Sequence, residues 1–350
     1  MYWIYAGSRT TRERNARGCG LTVYAVDEHC ARWQAVQTIK LVNPSYLVAN
    51  TAATRLYTVH GDQSEVTALE IRADGRLQAL GTRSTHGRNP VHLALTWGGR
   101  HLLVANYATG TLCTLPIQED GDLGEAAALL QLPHEPGPNA HQQKGAHPHQ
   151  VLAVPGTGFF LVPDKGCDRV HLVEVAPTGA IQYRGDLRAR AGSGPRHGVF
   201  GAPGRAWVVN ELDSTLACLT VDVRARCLQE LCVASLLPGA YQGTNQASGI
   251  ALHRRHGTLY VGNRGHDSVS VMQLEGECRV TLRQNVPTLG STPRFLTLTQ
   301  SGEHLLVANE TSDCWARFPI LDDGRLGEPS IVARAGSPVC AAIVPARPFT

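Results

Sequence analysis

No apolar run in the sequence approaches the roughly 20 residues that a helix needs to span a bilayer, so no membrane partner is expected. Residues 1–8 lack a basic flank followed by a long apolar stretch, and no signal peptide is read there. Charge is sparse and balanced. Charged residues make up 17% of the chain, and 32 Lys and Arg against 29 Asp and Glu give a formal net charge of +3. Scattered as they are, these charges leave no footprint for nucleic acid. No C-x-x-C occurs among the ten cysteines, and several, such as Cys113, Cys218 and Cys340, sit in apolar alternations where a thiol acts as a small hydrophobe. Reduced thiols in a cytoplasmic protein are therefore expected. What the chain does have is core material, with 43% hydrophobic residues, and turns, with 36 Gly and 20 Pro. That turn content argues against a helical bundle.

A repeat organises the chain. Short apolar runs end at Ser8, His60, Asn106, Asp164, Asn210, Asn263 and Asn309, spaced 46 to 58 residues apart. Pro44, Pro90, Pro148, Pro195 and Pro293 each open a stretch 15 or 16 residues before one of these ends. Ser248 replaces proline before Asn263, and Pro338 opens a last stretch with no run after it. A third signal, Asp74-Gly75, Asp120-Gly121, Thr178-Gly179 and Asp323-Gly324, falls 14 residues beyond four of the run ends, as tight hairpins require. Each unit is thus four short strands, and seven units predict an all-β, seven-bladed β-propeller of four-stranded antiparallel blades in one domain over residues 1–350. The first run lacks a Pro strand and the last Pro strand lacks a run. Together they complete one blade and close the ring. G-H and W-D dipeptides of the shorter WD40 repeat are missing.

Topology then localises function. The Pro-opened strand is innermost and the next strand returns antiparallel, so both signals lie on one face, at the mouth of the central channel. Polar residues at these phases are the candidates: His92, Asn106 and Tyr107; His147, His149, Asp164 and Lys165; Arg196, His197 and Glu211; Asn263 and Arg264; Arg294 and Glu310. Asn and Asp at blade ends also commonly satisfy turn amides, a reading that competes for Asn106, Asp164 and Asn263. Three arginines converging on one mouth call for an anion. Arg9, Arg12, Arg14 and Arg17 lie on the same face and are read as a solvated loop.

The motifs GAHPHQV (145–151), VPDKGCDRV (162–170), GSGPRHGVF (192–200), VVNELDST (208–215), VGNRGHDSVSV (261–271) and STPRFLTL (291–298) resemble those of the seven-bladed-propeller lactonases. That family is similar to propeller-type 6-phosphogluconolactonases and fungal carboxymuconate cyclases, and the similarity covers nearly the whole chain. The resemblance implies an active site of His149, Arg196, Glu211 and Arg264, with no cofactor and no metal. Two departures stand out. Relatives often carry an acidic residue near Gly249 in ASGI (247–250), and an apolar residue where this chain has Lys165.

The residue types suit opening a lactone. An imidazole makes His149 a candidate general base. Glu211 would support it or act as the base itself, and Arg196 and Arg264 would stabilise the developing oxyanion. Arg294, helped by Lys165, would hold a phosphate or carboxylate. His147, Asp164, Asn106, Tyr107 and His197 complete the expected substrate contacts. The expectation is a lactonase acting on a small anionic lactone, 6-phosphoglucono-δ-lactone first, as a monomer or weak homo-oligomer. A carboxymuconate-type cyclase and a non-enzymatic binding platform are the alternatives. Zinc at His134, His141, His147 and His149 and a Glu211/Glu310 glycosidase pair are weaker readings.

Overall fold

The computed structural model describes residues 1–276 and 278–346. It forms seven four-stranded antiparallel sheets. Blade 1 joins the two ends of the chain: its inner strand is Pro338–Pro345, followed outward by Tyr2–Ser8, Leu21–Val26 and Trp33–Ile39. Blades 2 to 7 follow in chain order, with inner strands Pro44–Ala49, Pro90–Leu95, Leu152–Ala153, Pro195–Phe200, Gln246–His253 and Pro293–Leu298. Among the described residues the single helical element is the short 3₁₀ turn Arg12–Arg14.

The second strand of each blade is sandwiched between neighbouring blades. Both its faces are therefore buried, which is why HLLVAN at His101–Asn106 reads as an apolar run with no alternation. The core is correspondingly divided into seven clusters, one between each pair of adjacent blades. Tyr5, Leu21 and Val23 of blade 1 pack on Leu47, Leu56 and Leu69 of blade 2. Leu306 and Trp315 of blade 7 pack on Ile4 and Tyr24 of blade 1, so the closing seam carries an apolar core like any other.

The two sequence signals meet in register. Pro44 pairs with His60, Pro90 with Asn106, Pro148 with Asp164, Pro195 with Asn210, Pro293 with Asn309 and, across the seam, Pro338 with Ser8. Ala247 takes this place opposite Asn263. The Asp-Gly and Thr-Gly turns also fall where expected, with positive φ at Gly75, Gly121, Gly179 and Gly324. Each turn is tied to the preceding blade by a hydroxyl. Tyr5 Oη donates to Gly75 O at 3.0 Å, Tyr57 Oη to Gly121 O at 3.1 Å, Thr114 Oγ1 to Gly179 O at 2.7 Å and Tyr260 Oη to Gly324 O at 2.8 Å. These buried ties lock adjacent blades at their outer ends. Tyr57→Phe and Tyr260→Phe are each expected to cost about 1 kcal/mol in denaturant titrations, and nearly additively because they lie on different seams.

Candidate active site

A β-bulge builds the channel mouth. In six blades the register shifts at the start of the inner strand, so the residue after the proline position is left out of the ladder. In blade 4, Pro148 bridges Asp164 and His149 N bonds Pro163 O at 2.9 Å. The residues so placed are Val339, Ser45, Val91, His149, Arg196, Ser248 and Arg294, one per blade. All but Ser248 line a narrow central cavity, together with Arg9, Tyr46, His197, Phe295. Ser248 is fully buried and donates to Pro293 O. Aspartates fix several bulges: Asp168, Asp267 and Asp313 accept from the amides of Gly194, Thr292 and Ser337, each just before the next bulged residue's proline.

A second ring comes from the residue after each blade's second-strand terminus: Arg9, Gly61, Tyr107, Lys165, Glu211, Arg264 and Glu310. At its centre is Glu211, 3% exposed. Its Oε1 accepts from Lys165 Nζ at 3.0 Å, and its Oε2 lies 2.8 Å from Arg196 Nε and 3.0 Å from Arg264 Nη2. Burial alone would raise its pKa, but the charges of Arg264, Lys165 and Arg196 outweigh that and hold it far below the ordinary carboxylate range. Glu211 makes no hydrogen bond to His149, so it organises cations instead of orienting that imidazole, and its depressed basicity disfavours it as a base.

His149 is buried, and burial together with Arg196, Lys165 and Arg294 pushes its pKa well below 6.5. Its Nδ1 lies 3.2 Å from His197 Nε2, whose ring is likewise held neutral by burial and Arg196. Beneath them an aromatic floor closes the channel, with Tyr46 3.9 Å from His92 and edge-on to His197 and Phe295. Arg196 is pushed down to about 9 by burial and by Arg264, which marks an excess of positive charge. Its Nη1 has no hydrogen-bond partner among the described residues, and neither does Arg264 Nε. Arg264 Nη2 also donates to Ala247 O at 3.1 Å.

The remaining predicted residues divide between the cavity and the scaffold. Arg294 lines the cavity and reaches Glu310 at 3.4 Å. Lys165, expected to help it, is committed to Glu211, to Gln142 Oε1 at 3.0 Å and to the Tyr107 ring at 5.5 Å. Tyr107 stacks on His147, whose Nδ1 donates to Tyr107 O at 2.9 Å. Asp164 is fully buried: its Oδ1 accepts from the amides of His147, Gly166 and Cys167 and its Oδ2 from His171 Nε2. Asn106 Nδ2 donates to Thr85 O, at the end of the neighbouring blade 2, and to Thr111 Oγ1, while Asn263 Nδ2 donates to Ser268 and Ser270 Oγ. The turn-amide reading describes Asp164; the two asparagines serve as scaffold donors to hydroxyls and a carbonyl instead. Glu310, paired with Arg294, lies two blades from the cation-clamped Glu211. Among the described residues no three His, Cys, Asp or Glu side chains converge as a metal site.

One reading is corrected outright. Arg9 is 3% exposed and lines the cavity, while Arg14 and Arg17 pair with Asp62 and Asp313 at the surface. Its burial depends on the seam: Arg9 N bonds Ser337 O at 3.0 Å. Spacing does not point to Gln142, supplied by the long connection between blades 3 and 4. Ser45, at the bulge phase, and Tyr46, which follows it and pairs with Val59, also line the cavity without having been singled out by spacing.

Comparison with known proteins now bears on this geometry. The family Lactonase, 7-bladed beta-propeller, matches residues 3–343. The chain belongs to this family. A 6-phosphogluconolactonase of Bacillus subtilis is 30% identical over 77% of this chain and 78% of its own. The structure of a periplasmic gluconolactonase of Pseudomonas aeruginosa superposes with a TM-score of 0.88, at 25% identity and 99% coverage of both chains. A Lactobacillus plantarum protein gives a TM-score of 0.90 at 26% identity, covering 99% of this chain and 100% of its own. This lactonase is thus a lactone-hydrolysing enzyme.

Two outcomes follow from the site of this lactonase. Glu211→Gln leaves three buried cations uncompensated and is expected to lower stability by about 3–5 kcal/mol in chemical denaturation. The lowered pKa of His149 means that protons bind it only at lower pH, so its imidazole is neutral where an ordinary histidine titrates. An NMR titration that finds it protonating near pH 6.5 contradicts the described burial.

Proposed function

We propose that this lactonase hydrolyses a sugar lactone, 6-phosphoglucono-δ-lactone, by metal-independent general-base catalysis at the channel mouth. The observation that carries the reading is that a neutral imidazole and an under-bonded guanidinium, His149 and Arg196, line one cavity. The names of the Bacillus subtilis and Pseudomonas aeruginosa proteins support the substrate class.

His149 acts through Nε2. That atom is free as a base when Nδ1–H donates to His197 Nε2, the tautomer the 3.2 Å contact accommodates. Water attacks C1 of the lactone as His149 takes its proton. The carbonyl oxygen becomes an oxyanion opposite Arg196 and Arg264, whose charge is worth most where water is excluded. Collapse breaks the bond from C1 to the ring oxygen, and protonated His149 returns its proton to that oxygen. The product is the open-chain acid, which releases its remaining proton to solvent and leaves as the carboxylate. Glu211 and Lys165 hold the two guanidiniums in place. The reading extends to a reducing, cytoplasmic location, which the ten unpaired cysteines support.

The test is acid release from freshly made 6-phosphogluconolactone, corrected for spontaneous hydrolysis, with and without a chelator. Chelator-insensitive acceleration is expected. His149→Ala should lower kcat by about 10²–10⁴-fold, and Arg196→Ala by about 10²–10³-fold. A folded wild type that does not accelerate this reaction overturns the substrate assignment.

A further inference from the structure

The mouth has two unlike halves. His149, Lys165, Arg196, Glu211 and Arg264 all come from blades 4, 5 and 6. On the facing arc, blades 7, 1 and 2 contribute Arg294, Arg9 and Ser45 to the narrow cavity that His149 and Arg196 also line. The chemistry assigned above uses the first half. The second half is as buried at Arg9 and Ser45 and leaves donors of both unspent.

Arg9 is the clearest case. Its side chain is 4% exposed, and its Nε and Nη1 have no hydrogen-bond partner among the described residues. The nearest carboxylate, Asp62, is 3.6 Å from Nη1 but is already engaged by Arg14 and by Asn43 Nδ2 at 3.2 Å. A buried guanidinium with idle donors is costly unless something fills the place. Ser45 Oγ, also buried, is idle too. The two donors are neighbours, because a Cβ added at Gly61 would fall 2.3 Å from Arg9 Nη1 and 2.8 Å from Ser45 Oγ. Gly61 is the glycine of the second ring, at the phase that elsewhere carries Tyr107, Lys165, Glu211, Arg264 and Glu310. Its missing side chain is the space Arg9 occupies. Burial and the repulsion of Arg294 and Arg14 outweigh the attraction of Glu310 and Asp62 and bring Arg9 down to about 10. Across the whole mouth five cations, Arg9, Lys165, Arg196, Arg264 and Arg294, face three carboxylates, Asp62, Glu211 and Glu310.

We propose that Arg9, Ser45 and Arg294 form the subsite for the substrate's phosphate monoester, and that Arg9 sets the preference for a phosphorylated over an unphosphorylated sugar lactone. Arg9 offers a planar fork suited to two phosphate oxygens, Ser45 a single hydroxyl donor, and Arg294 a second charge. A lactone held there by its phosphate extends across the channel toward His149 and Arg196. The proposal deepens the lactonase reading and rests on it for the position of the reacting carbonyl.

The test compares kcat/KM for 6-phosphogluconolactone and glucono-δ-lactone, and separately the Kd of their stable products, 6-phosphogluconate and gluconate. In the wild type the phosphorylated partner is expected to be favoured by at least about 10-fold in both readouts. In Arg9→Ala the preference collapses toward unity, and in Ser45→Ala it falls by a smaller factor. Arg9→Lys, which keeps the charge and loses the fork, gives an intermediate preference, and it decides the matter if Arg9→Ala does not fold. A wild type without preference, or an undiminished wild-type preference in folded Arg9→Ala or Arg9→Lys, overturns the subsite. If the wild type hydrolyses neither lactone, the catalytic reading fails and the binding comparison still decides the subsite.

Discussion

The structure turns on the bulge that follows the first position of each inner strand. A strand that continued its ladder without interruption would hold the post-proline side chain between sheets. One extra residue frees that side chain from the ladder, and seven blades repeat the manoeuvre around one axis. The amide before the proline is held by an aspartate in three of the seven seams, so the bulge is fixed from outside the strand that bears it. The result is a ring whose geometry is scaffold property and whose chemistry is free to vary from blade to blade. Valine fills the position twice, serine twice, arginine twice and histidine once.

Electrostatics then divides that ring. Glu211 carries a single negative charge among three cations, and its three partners are spread over blades 4, 5 and 6. Such a buried cluster is poor as a source of stability and good as a means of fixing positions. Burial, reinforced by the cluster's surplus positive charge, keeps His149 and His197 neutral, and guanidinium donors are left idle at the place where a carbonyl oxygen would become anionic. Basicity at His149 is modest for the same reason. The arrangement favours stabilising the charge that develops on the lactone over pulling hard on the attacking water.

Much of this was legible in the sequence because blades are periodic. The Pro and Asn phases predict the register of Pro195 with Asn210 and of Pro338 with Ser8, and with it the ring closure and the face that carries the site. What periodicity cannot tell is how a side chain is spent once it arrives. Asp164 and Asn106 reach the mouth by phase, yet turn amides and His171 take the oxygens of Asp164, and Asn106 spends its amide nitrogen on Thr85 O and Thr111 Oγ1. Lys165 reads as an anion contact until Glu211, 46 residues away, is seen to claim it. Arg9 reads as one of four arginines in a solvated loop. Its burial depends on a glycine in the neighbouring blade and on the C-terminal strand behind it, neither of which is local. Gln142 lies in an irregular connection that follows no period at all.

On the proposed division of the mouth, its two halves act on opposite ends of one lactone. A crystal structure of the enzyme with 6-phosphogluconate is the decisive measurement. The carboxylate is expected against Arg196 and Arg264 and the phosphate across the channel on Arg9, Ser45 and Arg294. Density on the opposite face of the propeller, or a ligand in the mouth with its phosphate against Lys165 and Glu211, would contradict it.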